Sequence, residues 1–279
     1  MGGGRDPLLA ATAPAPVNER RVEEAGFPLS WTLPVLGGLA LGFLLIPFAG
    51  LLATTSWHAL EPDAGDWGAV ETSILLTLVA LVLVVAGGTP LAWWMARRGR
   101  RGRVLLDSLV LLPLLTPPLA MGLLLAMAYG PYSAIGRVAT GFGVDLTNSP
   151  AAFLLAQIYA SAPYYVLAAR AAFEGVPREY EDIARSLGRG SWHTFWHVSL
   201  PLARLGLATG VALAWVRALG EFGIALIVAY YPQGIPVRLW VDLQDTGLSA
   251  VYPVLWIFFL IGLPLPLLLG LWGRGRHAA

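Results

Sequence analysis

Two charged residues, Arg217 and Glu221, stand inside a long apolar stretch of the sequence. Their spacing of four residues would place both side chains on one face of a helix. A charge in the middle of an apolar segment is costly unless it is paired or serves a function. Two interpretations remain open: a buried ion pair that packs helices together, or a gate that changes between two states of a pathway.

Other residue types exclude whole classes of chemistry. The chain has no cysteine and no lysine, since all 18 basic residues are arginine. Thiol catalysis, cysteine-ligated zinc, lysine Schiff bases and a P-loop are therefore excluded. His193 and His197 have metal-compatible spacing, but no third ligand lies near them in the sequence, which favours packing at an interface. We expect a chain that is not an enzyme and that holds no metal or cofactor.

The composition indicates a membrane protein. Of 279 residues, 57% are hydrophobic and 13% are charged, which is about half the charge of a soluble domain. Six stretches are long and continuously apolar enough to cross a bilayer as helices rather than as barrel strands. They are residues 31–54, 70–95, 104–129, 151–172, 205–230 and 250–272. The predicted fold class is an all-α integral membrane protein with six transmembrane helices.

The distribution of arginine predicts the orientation of these spans. Fifteen of the 18 arginines fall in the two tails and in the second and fourth connections, whereas only Arg137 and Arg238 lie on the other side. The positive-inside rule therefore places both termini in the cytoplasm. Residues 97–103 form a dense basic run, which favours anchoring to anionic lipid over nucleic-acid binding. We expect Asp107 to be solvated or paired with that run. The opposite connections carry the carboxylates Glu61, Asp63, Asp66, Asp145, Asp242 and Asp245.

The sequence predicts a single transmembrane domain with short tails. Residues 1–30 form a tail of low complexity that is expected to be disordered. Residues 31–273 form the six-helix domain, which includes a long cytoplasmic loop at 174–204. Residues 274–279 form a cytoplasmic tail.

That long loop is amphipathic rather than a simple linker. Tyr180, Ile183, Ala184 and Leu187 have the spacing of one apolar helix face, and Gly188 suits the end of that helix. A second short helix is predicted over 191–198, with Pro201 ending it before the fifth span. The helix pair could lie at the membrane interface or serve as a docking element for another protein.

The same loop resembles the coupling loop of binding-protein-dependent ABC importer permeases, whose pattern is E-A-A-x3-G-x9-I-x-L-P. Residues 182–184 (Asp-Ile-Ala) stand at the first three positions, Gly188 at the glycine, and residues 198–201 (Val-Ser-Leu-Pro) at the end, with full spacing. The resemblance implies a permease like those of type I ABC importers, with a coupling-helix loop that contacts an ATPase. The residues expected to couple to the ATPase are Glu181, Asp182, Ile183, Ala184, Leu187, Gly188, Trp192, Phe195, Val198, Leu200 and Pro201.

Three further stretches resemble the molybdate, tungstate and sulfate permease group. They are residues 112–118, 162–170 and 217–223, and the likeness extends over about residues 70–271. The chain differs from the molybdate type at Ile224 and Ala225, where that group usually has Ala-Thr, and in residues 230–245.

Prolines in the third span suggest where a pathway would run. Pro117 and Pro118 remove two backbone donors in the middle of the span. Such backbone is tolerated where protein or a water-filled cavity covers it, so either a packing kink or a pathway lining is possible. Gln157, Ser161 and the tyrosines 164 and 165 offer polar groups for lining or for interhelical hydrogen bonds. The residues expected at the path or gate are Thr116, Pro117, Pro118, Ser161, Tyr164, Arg217, Gly220, Glu221 and Gly223.

The predicted function is that of an inner-membrane permease subunit in an ATP-driven importer. The resemblance implies two cytoplasmic ATPase subunits that bind ATP and Mg²⁺, an extracytoplasmic substrate-binding protein, and a second permease chain. Because most oligomers are symmetric assemblies of identical subunits, we expect that second chain to be a copy of this one, with a heterodimer as the alternative. The expected cargo is an oxyanion, molybdate or tungstate. Sulfate or thiosulfate, phosphate, ferric iron, thiamine or a sugar are the alternatives within this class. A secondary transporter is the alternative outside the class of ATP-driven importers.

Overall fold

A computed structural model of the protein describes residues 29–274. Of the tails predicted over 1–30 and 274–279, residues 1–28 and 275–279 lie outside the described residues, and the others belong to the first and last helices. The described part of the chain is helical, with one π-helical turn at Phe195–Ser199. The α-helices are α1 Leu29–Thr54, α2 Ala64–Ala96, α3 Arg100–Leu115, α4 Pro118–Tyr129, α5 Ala134–Gly141, α6 Pro150–Glu174, α7 Arg178–Ser186, α8 Ser191–Thr194, α9 Leu200–Leu219, α10 Gly223–Val228, α11 Ile235–Asp245, α12 Leu248–Gly262 and α13 Pro264–Arg274.

The apolar stretches predicted from the sequence are helices long enough to span a bilayer. Five helical segments of the described chain meet that requirement, and the bent pair α3–α4 makes a sixth when it is counted as one span. Within the described residues, 29–55 and 56–274 form separate units. The first unit contains α1, an apolar helix with Pro34 and Pro47 inside it.

The third span is broken rather than kinked. Helix α3 ends at Leu115, Thr116 has an extended backbone, and α4 begins at Pro118 in a direction 104° away. Proline disfavours a helical conformation in the residue before it, and it has no N–H to continue the hydrogen-bond ladder. Two successive prolines therefore end one helix and start another.

The fifth span differs from its prediction in two ways. A continuous helix over 205–230 is wrong, because α9 ends at Leu219 and the short α10 resumes at Gly223. The prediction that Pro201 ends the preceding helix is also wrong. Residues 191–219 run on as one helical segment through the π-helical turn, and Pro201 lies in the first turn of α9, where a missing N–H costs nothing.

Helix α6 lies at the centre of the second unit and packs against α2 and α9. Two buried polar contacts join it to α2: Gln157 Nε2 donates to Thr77 Oγ1 at 2.6 Å, and the hydroxyls of Tyr165 and Thr89 lie 2.6 Å apart. Gln157 and Tyr165 therefore make interhelical hydrogen bonds, which satisfy polar groups that a lipid environment would leave unpaired.

Candidate functional site

The break between α3 and α4 lies beside the break between α9 and α10, and an open cavity of about 620 Å³ lies between them. We call it the break cavity; its lining is mostly apolar and includes Pro117, Pro118, Arg217, Gly220, Glu221 and Trp240. A smaller cavity of about 150 Å³ lies beside it, shares Pro118 and Arg217, and adds Thr116 and Tyr164. Irregular backbone at membrane depth thus faces open space, which is where it is tolerated.

Arg217 and Glu221 form an ion pair across the break between α9 and α10. Arg217 Nη1 lies 2.5 Å from Glu221 Oε2, and the Ile224 N–H donates to Glu221 Oε1 at 2.6 Å. Glu221 is 1% exposed, whereas the Arg217 side chain is 27% exposed. A cation in the last turn of one helix and a carboxylate at the start of the next both complement the helix dipoles. The carboxylate therefore bridges the two halves of the broken span.

Helices α4 and α10 approach each other closely at Gly223. A Cβ atom added to Gly223 would lie 2.5 Å from Pro118 Cβ, which is closer than real Cβ contacts. The proline ring is rigid and begins α4, so it cannot move aside without moving the helix. The contact between the two breaks thus requires glycine at this position.

Replacing Gly223 with alanine is expected to push α10 away from α4 and to destabilise the protein by about 1–3 kcal/mol, as overpacking does. We expect a lower thermal unfolding temperature in detergent and a loss of transport. Gly87→Ala in α2 is the matched control, because nothing lies within 4 Å of the added Cβ there. Equal behaviour of the two variants would contradict the tight contact.

The structure brings together most of the residues predicted for a path. Eight of the nine line the two cavities, and Ser161 does not, since its buried hydroxyl donates to the Gln157 carbonyl at 2.6 Å within α6. The sequence analysis missed Phe222 and Trp240, which also line the break cavity and whose ring centroids lie 5.8 Å apart with the planes tilted. Trp240 belongs to α11, and no spacing in the sequence relates that helix to the breaks.

The second candidate site is the α7–α8 element, residues 178–199. Its first helix stops at Gly188 as predicted, and Gly188 has a φ of 76°. The Gly188 N–H donates to the Arg185 carbonyl at 2.9 Å and the Arg189 N–H to the Ala184 carbonyl at 3.0 Å. These two bonds are the Schellman motif, which uses a left-handed residue to end a helix.

The α7–α8 element exposes large apolar side chains and buries the carboxylate of Glu181. Leu187 and Trp192 are each 74% exposed, and Tyr180, Ile183 and Trp196 are also exposed. Among the residues predicted to couple, Asp182, Gly188 and Pro201 lie on the exposed side, Glu181, Ala184 and Phe195 are buried, and Val198 and Leu200 are half-buried. The predicted single face is therefore split, because Ala184 packs inward. Exposed apolar patches of this kind mark interaction surfaces.

Glu181 anchors this element to the end of α2. Arg97 donates to both of its carboxylate oxygens, in one case through a very short contact, and Ser199 Oγ donates at 2.6 Å. Arg97 also donates to the Phe173 carbonyl at 3.0 Å, which adds the end of α6. Burial alone would raise the pKa of Glu181, but the hydrogen bonds from Arg97 and Ser199 outweigh it, and the pKa falls below its ordinary value.

The basic run has a structural role that the sequence did not indicate. Arg97 pairs with Glu181, and Arg103 pairs with Glu174 at 3.0 Å, so lipid anchoring does not account for these two side chains. Asp107 pairs not with that run but with Arg170 of α6, at 3.1 Å. These partners lie far apart in the sequence, so no local pattern could have indicated them.

The two histidines of the α7–α8 element stack on each other. Their ring centroids lie 4.0 Å apart, and no group of side chains within the described residues is arranged to hold a metal ion. The two rings thus contact each other within one helical turn.

These features define the class of the protein: a helical membrane protein with two helix breaks that meet at a cavity and with an exposed apolar helical element. The chain belongs to the family described as binding-protein-dependent transport system inner membrane component, whose profile matches residues 88–274. It is therefore an inner-membrane protein that works with an ATP-hydrolysing subunit and a substrate-binding protein.

Known relatives agree with this membership. The chain is 39% identical to the "Probable molybdenum ABC transporter permease protein" of Haloferax volcanii, over 79% of this chain and 81% of that one. It is 30% identical to the molybdate/tungstate transport system permease protein of Thermococcus kodakarensis, over 76% and 80%. The fold matches a crystal structure of a bacterial alginate ABC transporter with a TM-score of 0.68, at 15% identity and covering 86% of this chain and 93% of that chain.

Proposed function

We propose that this chain and an identical copy form the translocation path of an ABC importer for molybdate or tungstate. Two ATPase subunits dock on the cytoplasmic α7–α8 elements, and an extracytoplasmic binding protein delivers the anion from the other side. ATP closes the ATPase dimer, and the α7–α8 elements transmit that motion to the spans. The chain itself forms and breaks no bonds.

The observation that carries the proposal is the exposed apolar surface of the α7–α8 element. Tyr180, Ile183, Leu187 and Trp192 lie exposed on a short helical element that ionic contacts hold against the body of the protein. An apolar helical surface of this kind ordinarily binds in a groove of a partner protein. The E-A-A-x3-G-x9-I-x-L-P spacing supports an ATPase as that partner.

The arginine distribution supports the orientation, and the two tails belong to the cytoplasmic side in this proposal. The arginine distribution places the α7–α8 element and the basic run at 97–103 on the same side of the membrane, as the contact between Arg97 and Glu181 requires. Arg238 and the acidic start of α2 then face the extracytoplasmic side.

The break cavity supports a low-affinity path rather than a storage site for a dianion. Its one cationic side chain, Arg217, is already neutralised by Glu221. The pair could rearrange between two states of the path and thus act as a gate. Selection of the anion then belongs to the binding protein, and the names of the relatives favour molybdate and tungstate.

Uptake of labelled molybdate into proteoliposomes tests the function. The vesicles contain the permease–ATPase complex and its binding protein, with ATP inside or outside. We expect uptake that requires ATP on the α7–α8 side and is competed by tungstate but not by sulfate, phosphate or a sugar.

Each other outcome points to a different function. Competition by sulfate or phosphate as strong as that by tungstate would overturn the cargo and retain the importer. Uptake driven by an ion gradient without ATP would instead indicate a secondary transporter.

A further inference from the structure

A second cavity of about 420 Å³, which we call the Arg238 cavity, lies where the start of α2 meets α11 and the start of α12. Asp66 and Asp242 line it and are 4% and 6% exposed. Exposed polar side chains surround them: Glu61, Asp63, Thr246 and Ser249. The cavity is thus an open, acidic recess with buried carboxylates.

The guanidinium group of Arg238 contacts three carboxylates in this cavity. Arg238 Nε donates to Asp66 Oδ1 at 2.8 Å, and Nη2 donates to Asp63 Oδ2 at 2.7 Å. Asp242 Oδ1 lies 3.0 Å from the same Nε, which already serves Asp66. Glu61 adds a fourth negative charge at the rim. The cavity is therefore strongly negative even with Arg238 in place.

Asp242 is the carboxylate with too few partners. Its Oδ2 atom is buried and has no hydrogen-bond partner among the described residues. A buried carboxylate without full pairing is costly, and the cost disappears when the group is protonated or when a second cation arrives.

The titration of Asp242 agrees with this geometry. Burial raises its pKa to about 6; Arg238 lowers it, and the charges of Asp66, Asp63 and Asp245 raise it. Because the folded pKa is raised, Asp242 stabilises the fold fully below its ordinary range, and that contribution is lost as the pH rises through about 6. At neutral pH the carboxylate is ionised at a cost that a cationic partner would relieve.

We propose that the Arg238 cavity receives an arginine or lysine side chain of the extracytoplasmic binding protein. The inference rests on the proposed function, which places this cavity on the binding-protein side. The negative charge of the cavity and the unpartnered Asp242 oxygen both favour a cationic side chain as the occupant. A metal ion fits less well, because Arg238 already occupies oxygens of Asp63 and Asp66.

The test compares Asp242→Asn with Asp245→Asn in the complete permease–ATPase complex in nanodiscs. Asp245 is exposed, lies on the same helix and carries the same charge, so it is the matched control. The probe is the purified binding protein that stimulates ATP hydrolysis by the wild-type importer. We expect Asp242→Asn to weaken its binding about tenfold and Asp245→Asn by less than about twofold.

Acidification provides an independent readout. Lowering the pH from about 7.5 to about 5 protonates Asp242 and should weaken wild-type binding by a similar factor, while Asp242→Asn is unaffected. Glu61→Gln at the exposed rim is a second variant that removes a charge without disturbing the interior, and it should weaken binding about threefold.

The outcomes separate this inference from the function on which it rests. If no binding protein binds the wild-type complex, the proposed function fails. If wild type and both cavity variants bind alike, only this inference fails. A Ca²⁺ or Mg²⁺ ion that binds wild type but not Asp242→Asn, with binding-protein affinity unchanged, would also overturn it.

Discussion

Gly188→Glu is expected to abolish ATP-driven transport while the protein still inserts in the membrane. Gly188 has a φ of 76° and ends α7 through the two hydrogen bonds of its Schellman motif. A residue with a Cβ is strained in this left-handed region by about 1–2 kcal/mol. The strained stop would displace Leu187 and Trp192, which are exposed on either side of the turn. Transport in proteoliposomes and co-purification of the ATPase measure the effect.

Two alanine substitutions separate the effect of backbone strain at Gly188 from the effects of side-chain size and charge. Nothing lies within 4 Å of a Cβ added to Gly188 or to Gly190, but Gly190 has an ordinary φ of −68°. Gly188→Ala should therefore weaken ATPase association, whereas Gly190→Ala should leave it unchanged. Asparagine tolerates the left-handed region, so Gly188→Asn should retain most activity. Wild-type transport in Gly188→Glu would refute the docking role of this turn.

Glu181→Gln is expected to uncouple ATP hydrolysis from transport and to lower the thermal unfolding temperature. Glu181 is 1% exposed, holds the α7–α8 element to α2 through Arg97, and joins α7 to the π-helical turn within that element through Ser199. Removing one partner of a buried ion pair costs about 3–5 kcal/mol, because the other charge is left unpaired. The docking surface itself remains, so the ATPase should still bind and hydrolyse ATP.

Glu179→Gln is the control for this second variant, since Glu179 lies in the same turn, carries the same charge and is exposed. The pH dependence gives a further check. Because the pKa of Glu181 is lowered, its ionised form stabilises the fold above its ordinary range, and that contribution is lost as the pH falls through the folded value. Wild type and Glu181→Gln should thus differ in stability at neutral pH and converge in acid. Equal effects of the two substitutions would show that Glu181 does not anchor the element.

Local features of this protein were predictable wherever one residue type determines the backbone. The break at Pro117 and Pro118 and the helix stop at Gly188 follow from a missing donor and from a positive φ. The spans themselves follow from apolar length. The break after Leu219 was not predicted: Gly220 was expected at the path or gate, but the apolar run over 205–230 favoured one continuous helix.

Contacts between residues that lie far apart in the sequence could not be predicted. Arg97 was interpreted as a lipid anchor, although its partner Glu181 lies 84 positions away. Arg238 was counted only as one of two arginines on the side opposite the tails, although it joins α11 to Asp63 and Asp66, which are 175 and 172 positions away. An ion pair needs only two side chains of opposite charge, so the sequence allows many pairings, and the packing of the helices selects one.

The sequence by itself determined the membrane class, the helix stop at Gly188 and the spacing of the coupling motif, because each depends on neighbouring residues along one chain. Only the tertiary structure decided which side of the α7–α8 element is buried, that the two breaks share one cavity, and that Asp242 Oδ2 has no hydrogen-bond partner among the described residues. Burial, cavities and unsatisfied charges arise between elements distant in the sequence, so they exist only after the helices have packed.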